Sequence, residues 1–139
     1  MFTSIAGVLL SIVVQASAGV AANETRVRAF VKAFNERNID AMLESADDDI
    51  QWLSVSGEKI AVETQGKAAL KTSMESYFKS CPSCRSELLW VQTTGNRLAA
   101  HDKAIFTNRA GVATSQSGLP VYEFKDGRIF RVYYFPVER

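Results

Sequence analysis

The sequence predicts an α+β domain in which three N-terminal helices pack on one face of a strongly curved, mostly antiparallel sheet. Three observations carry this. Apolar stripes of helical period lie before residue 80. After residue 85, side chains alternate in strand-length runs separated by the turn dipeptides Gly95-Asn96 and Asp126-Gly127. Helices followed by consecutive strands leave one helical layer to cover one face of a bent sheet.

Residues 1–22 carry no charged side chain, and Ile5 to Val14 is an apolar core of signal-peptide length. Small residues follow at Ala16-Ser17-Ala18 and Val20-Ala21-Ala22, so a cut after Ala22 is expected. No basic side chain precedes the apolar core, and an uncleaved N-terminal anchor is the rival reading. Residues 23–139 then form one domain, secreted or periplasmic, with no stable membrane span after cleavage. The first helix is expected over 23–37, capped by Asn23, with Val27, Phe30, Val31 and Phe34 as its apolar stripe. Asn38 caps a second, shorter helix carrying Ile39, Met42, Leu43 and Ala46. Asp47-Asp48-Asp49 is expected to end it as a solvated turn. The further ligands of a calcium loop are absent, and no metal is predicted.

A strand over 50–55, a turn at Ser56-Gly57-Glu58 and a short strand over 59–64 come next. A third helix over 67–79 carries the stripe Leu70, Met74, Tyr77 and Phe78. The remaining strands are expected over 85–94, 97–108, 119–125 and 128–135. Between the second and third of these, 110–118 reads as a polar hairpin region.

Composition excludes some functions. Sixteen basic and fifteen acidic residues nearly cancel, and no Lys/Arg run exceeds two, so no nucleic-acid partner is predicted. No cofactor-binding motif is present. Cys81-Pro82-Ser83-Cys84 lies between a helix end and a strand start, whereas a redox motif wants a strand before it and a helix after. A short structural disulfide between Cys81 and Cys84, stapling this loop in an oxidising compartment, is expected, with two free thiols as the alternative.

Phe34-Asn35-Glu36-Arg37-Asn38-Ile39-Asp40 resembles the joint between helices one and two of SnoaL-like, nuclear transport factor 2-like proteins. The acidic turn into Ile50-Gln51-Trp52, Gly66 before the third helix, and the closing hairpin around Asp126-Gly127 also resemble that family. The likeness spans about residues 24–136. It implies a cone fold with an interior pocket, in a family that includes ketosteroid isomerases, polyketide cyclases, epoxide hydrolases, dehydratases and binding modules. Isomerase chemistry would need a Tyr, a base Asp and a third acid where this chain has Phe30, Ser54 and Pro120. None of the three supplies the group, and that mechanism is disfavoured.

Strand alternation then nominates a site. Over 97–108, one face is Leu98, Ala100, Asp102, Ala104 and Phe106, apolar except for Asp102. A carboxyl in an apolar cavity is a candidate acid or base because burial raises its pKa. His101, the only His, faces the other way. Comparison with the family turns Tyr122, Phe124, Val132 and Tyr134 inward, to meet Trp52 and Ser54. The expected pocket therefore comprises Phe30, Phe34, Trp52, Ser54, Tyr77, Phe106, Phe124 and Val132, with Asp102, Tyr122 and Tyr134 as its chemical groups. A small apolar ligand is the expected partner. An isomerase, lyase or hydratase using Asp102 is one alternative function, and a dimeric interaction module is another. Ile129, Tyr133 and Phe135 are expected on the convex face as a homodimer contact.

Overall fold

The computed structural model describes residues 6–136, with side chains from Ala18 onward. The chain runs α1 (Ala6–Asn35), α2 (Ile39–Glu44), β1 (Ala46–Ser56), β2 (Lys59–Gln65), α3 (Lys67–Ser80), β3 (Arg85–Thr94), β4 (Arg97–Thr107), β5 (Ala113–Lys125) and β6 (Arg128–Phe135). The six strands form one sheet in the order β2-β1-β6-β5-β4-β3. Only β1 and β6 run parallel, and every other neighbouring pair is antiparallel. The three helices lie on one face of this sheet, so the predicted α+β class holds.

Several boundaries differ from expectation. Residues 1–5 of the expected leader lie outside the described residues, and 6–22 form the first turns of α1. Asn23 therefore sits inside a helix and is not its cap. The segment before it holds small and aliphatic residues and no proline, so nothing in it stops a helix. The Asp47–Asp49 triplet is strand rather than turn. Ala46, fully buried, already pairs with Ile129 of β6, and the triplet fills an irregular stretch before regular pairing resumes at Gln51. Lys67 at the start of α3 meets Asp48 at 3.1 Å. The region 110–118 is only partly hairpin, because β5 already begins at Ala113.

Other local signals behave as read. Asn38 accepts a hydrogen bond from the Ala41 N–H at 3.0 Å, satisfying an orphan donor of α2. Asp126 and Gly127 have φ of 51° and 74°, the left-handed pair that a tight hairpin between right-twisted strands requires.

The core fills the space between the helices and the sheet. Val27 and Phe30 of α1, Met42 of α2 and Leu70 of α3 pack on Ile50, Leu98, Tyr122, Phe124, Ile129 and Val132 of the sheet. Each fully buried aliphatic side chain contributes about 1.5–3 kcal/mol. Ile129 belongs to this core at 0% exposure, which overturns its place in the expected convex contact. The cause is a β-bulge. Register passes from Glu123↔Arg131 to Phe124↔Ile129, leaving Phe130 as an extra residue. That residue reverses alternation, so Ile129 and Val132 both face the helices. Phe130 lies under Arg131, whose guanidinium carbon is 4.5 Å from the ring centroid.

The opposite, convex face is polar at one end. Glu123, 6% exposed, takes Arg97 at 2.9 Å on one carboxylate oxygen and Arg131 at 3.1 Å on the other. Arg131 also donates to Gln51 at 2.9 Å. Cys81 and Cys84 are joined in a disulfide that closes the loop between α3 and β3. Arg37, in a left-handed conformation after α1, donates to the Pro82 carbonyl at 2.7 Å and covers the Phe78 ring at 4.6 Å. The α1–α2 joint and the disulfide loop are thereby tied together.

Candidate functional site

A cavity of about 290 Å³ opens at the wide end of the cone. Helix α1 gives it Phe30, Val31 and Phe34, while Met42 of α2 and Met74 and Tyr77 of α3 complete the helical wall. The sheet contributes Trp52 from β1, Ser86 from β3, Asp102 and Ala104 from β4, Tyr122 from β5 and Tyr134 from β6. Arg85 stands exposed at its edge. Its walls are mainly aromatic and aliphatic, with few polar groups, as in small-molecule pockets, and its size is near the small end of their range.

Asp102 is half-buried in this wall. Burial raises its pKa, and the Ser86 hydroxyl, which donates a hydrogen bond to its carboxyl, opposes that rise, as does His101. Ser86 is itself held from behind. Its backbone N–H donates to Asn35 Oδ1 at 2.8 Å, and its carbonyl accepts from Asn35 Nδ2 at 2.9 Å. A residue at the end of α1 thus fixes the strand that orients the carboxyl.

Three phenols share the site. Tyr122 is fully buried, Tyr134 is partly buried, and Tyr77 is exposed at the cavity rim, with 38% of its surface accessible. All three have pKa values above the usual phenol range, first through burial and then through the negative charge of Asp102. Register explains why Tyr134 feels Asp102. Asp102 pairs with Gly118 across β4 and β5, and the Tyr134 ring lies on the face of Gly118. A Cβ built on Gly118 would stand 2.7 Å from Tyr134 Cζ and closer still to its hydroxyl oxygen. The phenol therefore occupies the place that a side chain at position 118 would take beside Asp102, near enough for the Asp102 charge to raise its pKa.

Of the residues nominated from sequence, Phe30, Phe34, Trp52, Tyr77, Asp102, Tyr122 and Tyr134 border the cavity. Phe124 and Val132 do not. They belong to the buried core and are not among the residues that border the cavity. Ser54 is turned to its neighbour strand, donating to Glu63 at 2.7 Å. Phe106 lies beyond Ala104, outside the cavity wall. His101 is on the other face, 2.9 Å from Ser117 Oγ and edge-on to Trp90. Sequence reasoning missed Ser86, Asn35 and Arg85.

Three helices cupped by a bent six-stranded sheet, with an apolar cavity between them, define the nuclear transport factor 2-like cone fold. Residues 27–132 match the SnoaL-like domain family, and the chain belongs to that family. No curated protein matches it in sequence. Among solved structures it is similar to TerC, co-crystallised with polyporic acid. The TM-score is 0.73 at 17% identity, over 84% of this chain and 92% of that one. It is likewise similar to Bal32a from a soil-derived mobile gene cassette, with a TM-score of 0.72 at 22% identity over 84% and 89%. An NTF2-like protein of Burkholderia pseudomallei gives a TM-score of 0.71 at 16% identity over 84% and 91%. Identities this low establish the fold alone.

Proposed function

We propose that this chain is an exported pocket protein that binds a small, largely apolar molecule, whose one polar end meets Asp102. The observation that carries this reading is the cavity itself: an aromatic and aliphatic enclosure containing one carboxyl and flanking phenols. The similar fold of TerC, crystallised with an organic acid, is consistent with a ligand in this volume. The test is native mass spectrometry on protein purified gently from its own host, with an Ala104→Phe variant beside it. Ala104 borders the cavity, and a phenyl ring there intrudes on the space a ligand would take. Wild type is expected to carry a bound molecule that the variant lacks. An empty wild type, or a variant that keeps the molecule, overturns the reading.

A catalytic reading is favoured by the raised pKa of Asp102 beside phenol donors, an arrangement suited to proton transfer in an isomerase, lyase or hydratase. Asp102→Asn would then abolish turnover of the bound molecule while leaving its binding measurable. A homodimer through the convex sheet is also proposed, on Tyr133 and Phe135 without Ile129. Leu119 pairs with Phe135, Val121 pairs with Tyr133, and Leu119 and Phe135 are 40% and 38% exposed. Sedimentation of wild type against Tyr133→Glu checks it, and a monomeric wild type at high concentration counts against it. Export is checked by the N-terminus of the mature chain, expected at Asn23.

A further inference from the structure

The cavity combines two features that a neutral apolar ligand does not use together. One is a half-buried carboxyl whose nearest hydrogen-bond donor is a single hydroxyl, Ser86. Among the described residues Asp102 has no salt bridge. The other is a wall rich in aromatic side chains, Trp52, Phe30, Phe34, Tyr77, Tyr122 and Tyr134. Aromatic faces carry negative partial charge and attract cations, most strongly where water is excluded. A carboxylate and aromatic faces enclosing one volume reinforce each other's potential.

We infer that the ligand of this cavity is an organic cation, an amine with a compact apolar body, whose ammonium pairs with Asp102 between the aromatic faces. This rests on the pocket reading above and names the ligand class for it. The surrounding charges agree. His101 belongs to the same strand but the opposite face, bonded to Ser117. Arg37 stacks on Phe34 and Phe78 and donates to the Pro82 carbonyl; its charge reaches Tyr77, and it makes no ion pair with Asp102. Arg85 is exposed at the edge, and Ser86 rather than Arg85 holds the carboxyl. From α3, β5 and β6 only the phenols of Tyr77, Tyr122 and Tyr134 face Asp102, and these stay neutral because their pKa values lie above the usual phenol range. An ammonium would remove the unpaired negative charge that raises these phenols. It would also return Asp102 toward ionisation.

The test uses three probes of similar size, 2-phenylethylamine, 2-phenylethanol and phenylacetate, titrated by calorimetry against purified wild type and Asp102→Asn. At neutral pH the amine is expected to bind at least about tenfold more tightly than the alcohol, a difference of about 1.4 kcal/mol. Asp102→Asn is expected to erase that preference, bringing amine and alcohol to affinities within about threefold of each other, a gap of about 0.6 kcal/mol. Amine affinity should also fall as the pH is lowered through the titration of Asp102, and alcohol affinity should not. Should the alcohol or phenylacetate bind more tightly than the amine, or Asp102→Asn keep the amine preference, this inference fails and the pocket reading stands. If none of the three probes binds at millimolar concentration, and the wild type carries no molecule from its host, both fail.

Discussion

Replacing Gly118 by Ala tests the geometry on which the site depends. Gly118 is not among the left-handed glycines, so its backbone suits any residue and the consequence of a methyl group is steric. The new Cβ would stand 2.7 Å from Tyr134 Cζ and 3.0 Å from Cε2, against about 3.5–4.0 Å for carbon atoms at rest. Tyr134 must move. Overpacking of this kind costs about 1–3 kcal/mol. Against it, an Ala in place of Gly restricts the unfolded chain and returns about 0.4–1 kcal/mol. The net loss is about 1–2 kcal/mol, which lowers the thermal midpoint by about 4–8 °C for a domain of this size. Thermal unfolding of Gly118→Ala, Tyr134→Leu and the double variant forms a cycle. Because Leu lacks the distal ring atoms that clash, the double variant should be more stable than the sum of the two singles predicts, by about 1 kcal/mol. Additive effects, or a Gly118→Ala protein as stable as wild type, would show that Tyr134 is not seated on Gly118, and the placement of its hydroxyl beside Asp102 would go with it.

Three further outcomes are expected. Cys81 and Cys84 are three positions apart, so their disulfide closes a very short loop, and Cys84→Ser or a reductant should cost only about 2 kcal/mol in denaturant unfolding. Glu123→Gln leaves two arginines sharing a neutral partner, and should cost about 2 kcal/mol in the same assay; the loss should persist in high salt because Glu123 is buried. The pH dependence of Asp102 has the opposite sign to a salt-bridged carboxylate. Its native pKa lies above the unfolded value of about 3.9, so the native state holds the proton longer. Stability from this group is full below the unfolded pKa and is lost as pH rises through the native one. Urea midpoints of wild type should therefore fall relative to Asp102→Asn between acid and neutral pH, and a rise would contradict the burial of the carboxyl.

The element order was legible because it rests on long periodic runs and on turn residues such as Asp126-Gly127, whose backbone demands are local. The face of each residue was legible only as far as the alternation ran unbroken. Bulges in β3 and β6 broke it where the site is concerned. Counting back from the Gly95-Asn96 turn puts Ser86 opposite Ile105, on the convex face. In the structure Leu89 is an extra residue between Leu88↔Asp102 and Trp90↔His101, and Ser86 sits opposite Ala104 inside the cone. The hydroxyl that holds Asp102 was hidden for that reason. The extra Phe130 in β6 hid Ile129 in the same way. Neither bulge is marked by a glycine or a proline, so composition gives no warning of it.

The pocket was legible in face but not in depth. Val132, Phe124 and Asp102 were assigned to one interior, and all three do face the helices. Alternation has no coordinate along the axis of a cone, and that coordinate decides whether a side chain meets another or meets space. At the narrow end Val132 and Phe124 pack against Val27, Phe30 and Leu98 in the core. Toward the wide end the inward residues of adjacent strands become small, with Ala104 on β4 and Gly118 on β5, while the helices offer Val31, Met74 and Tyr77. Small side chains on the sheet opposite longer ones on the helices leave the gap that Tyr134 and the cavity share. The same glycine that admits the Tyr134 ring removes the one Cβ that would separate it from Asp102, so cavity and polar group have a common cause. Enlarging position 118 should close both together, which no change at the narrow end would do.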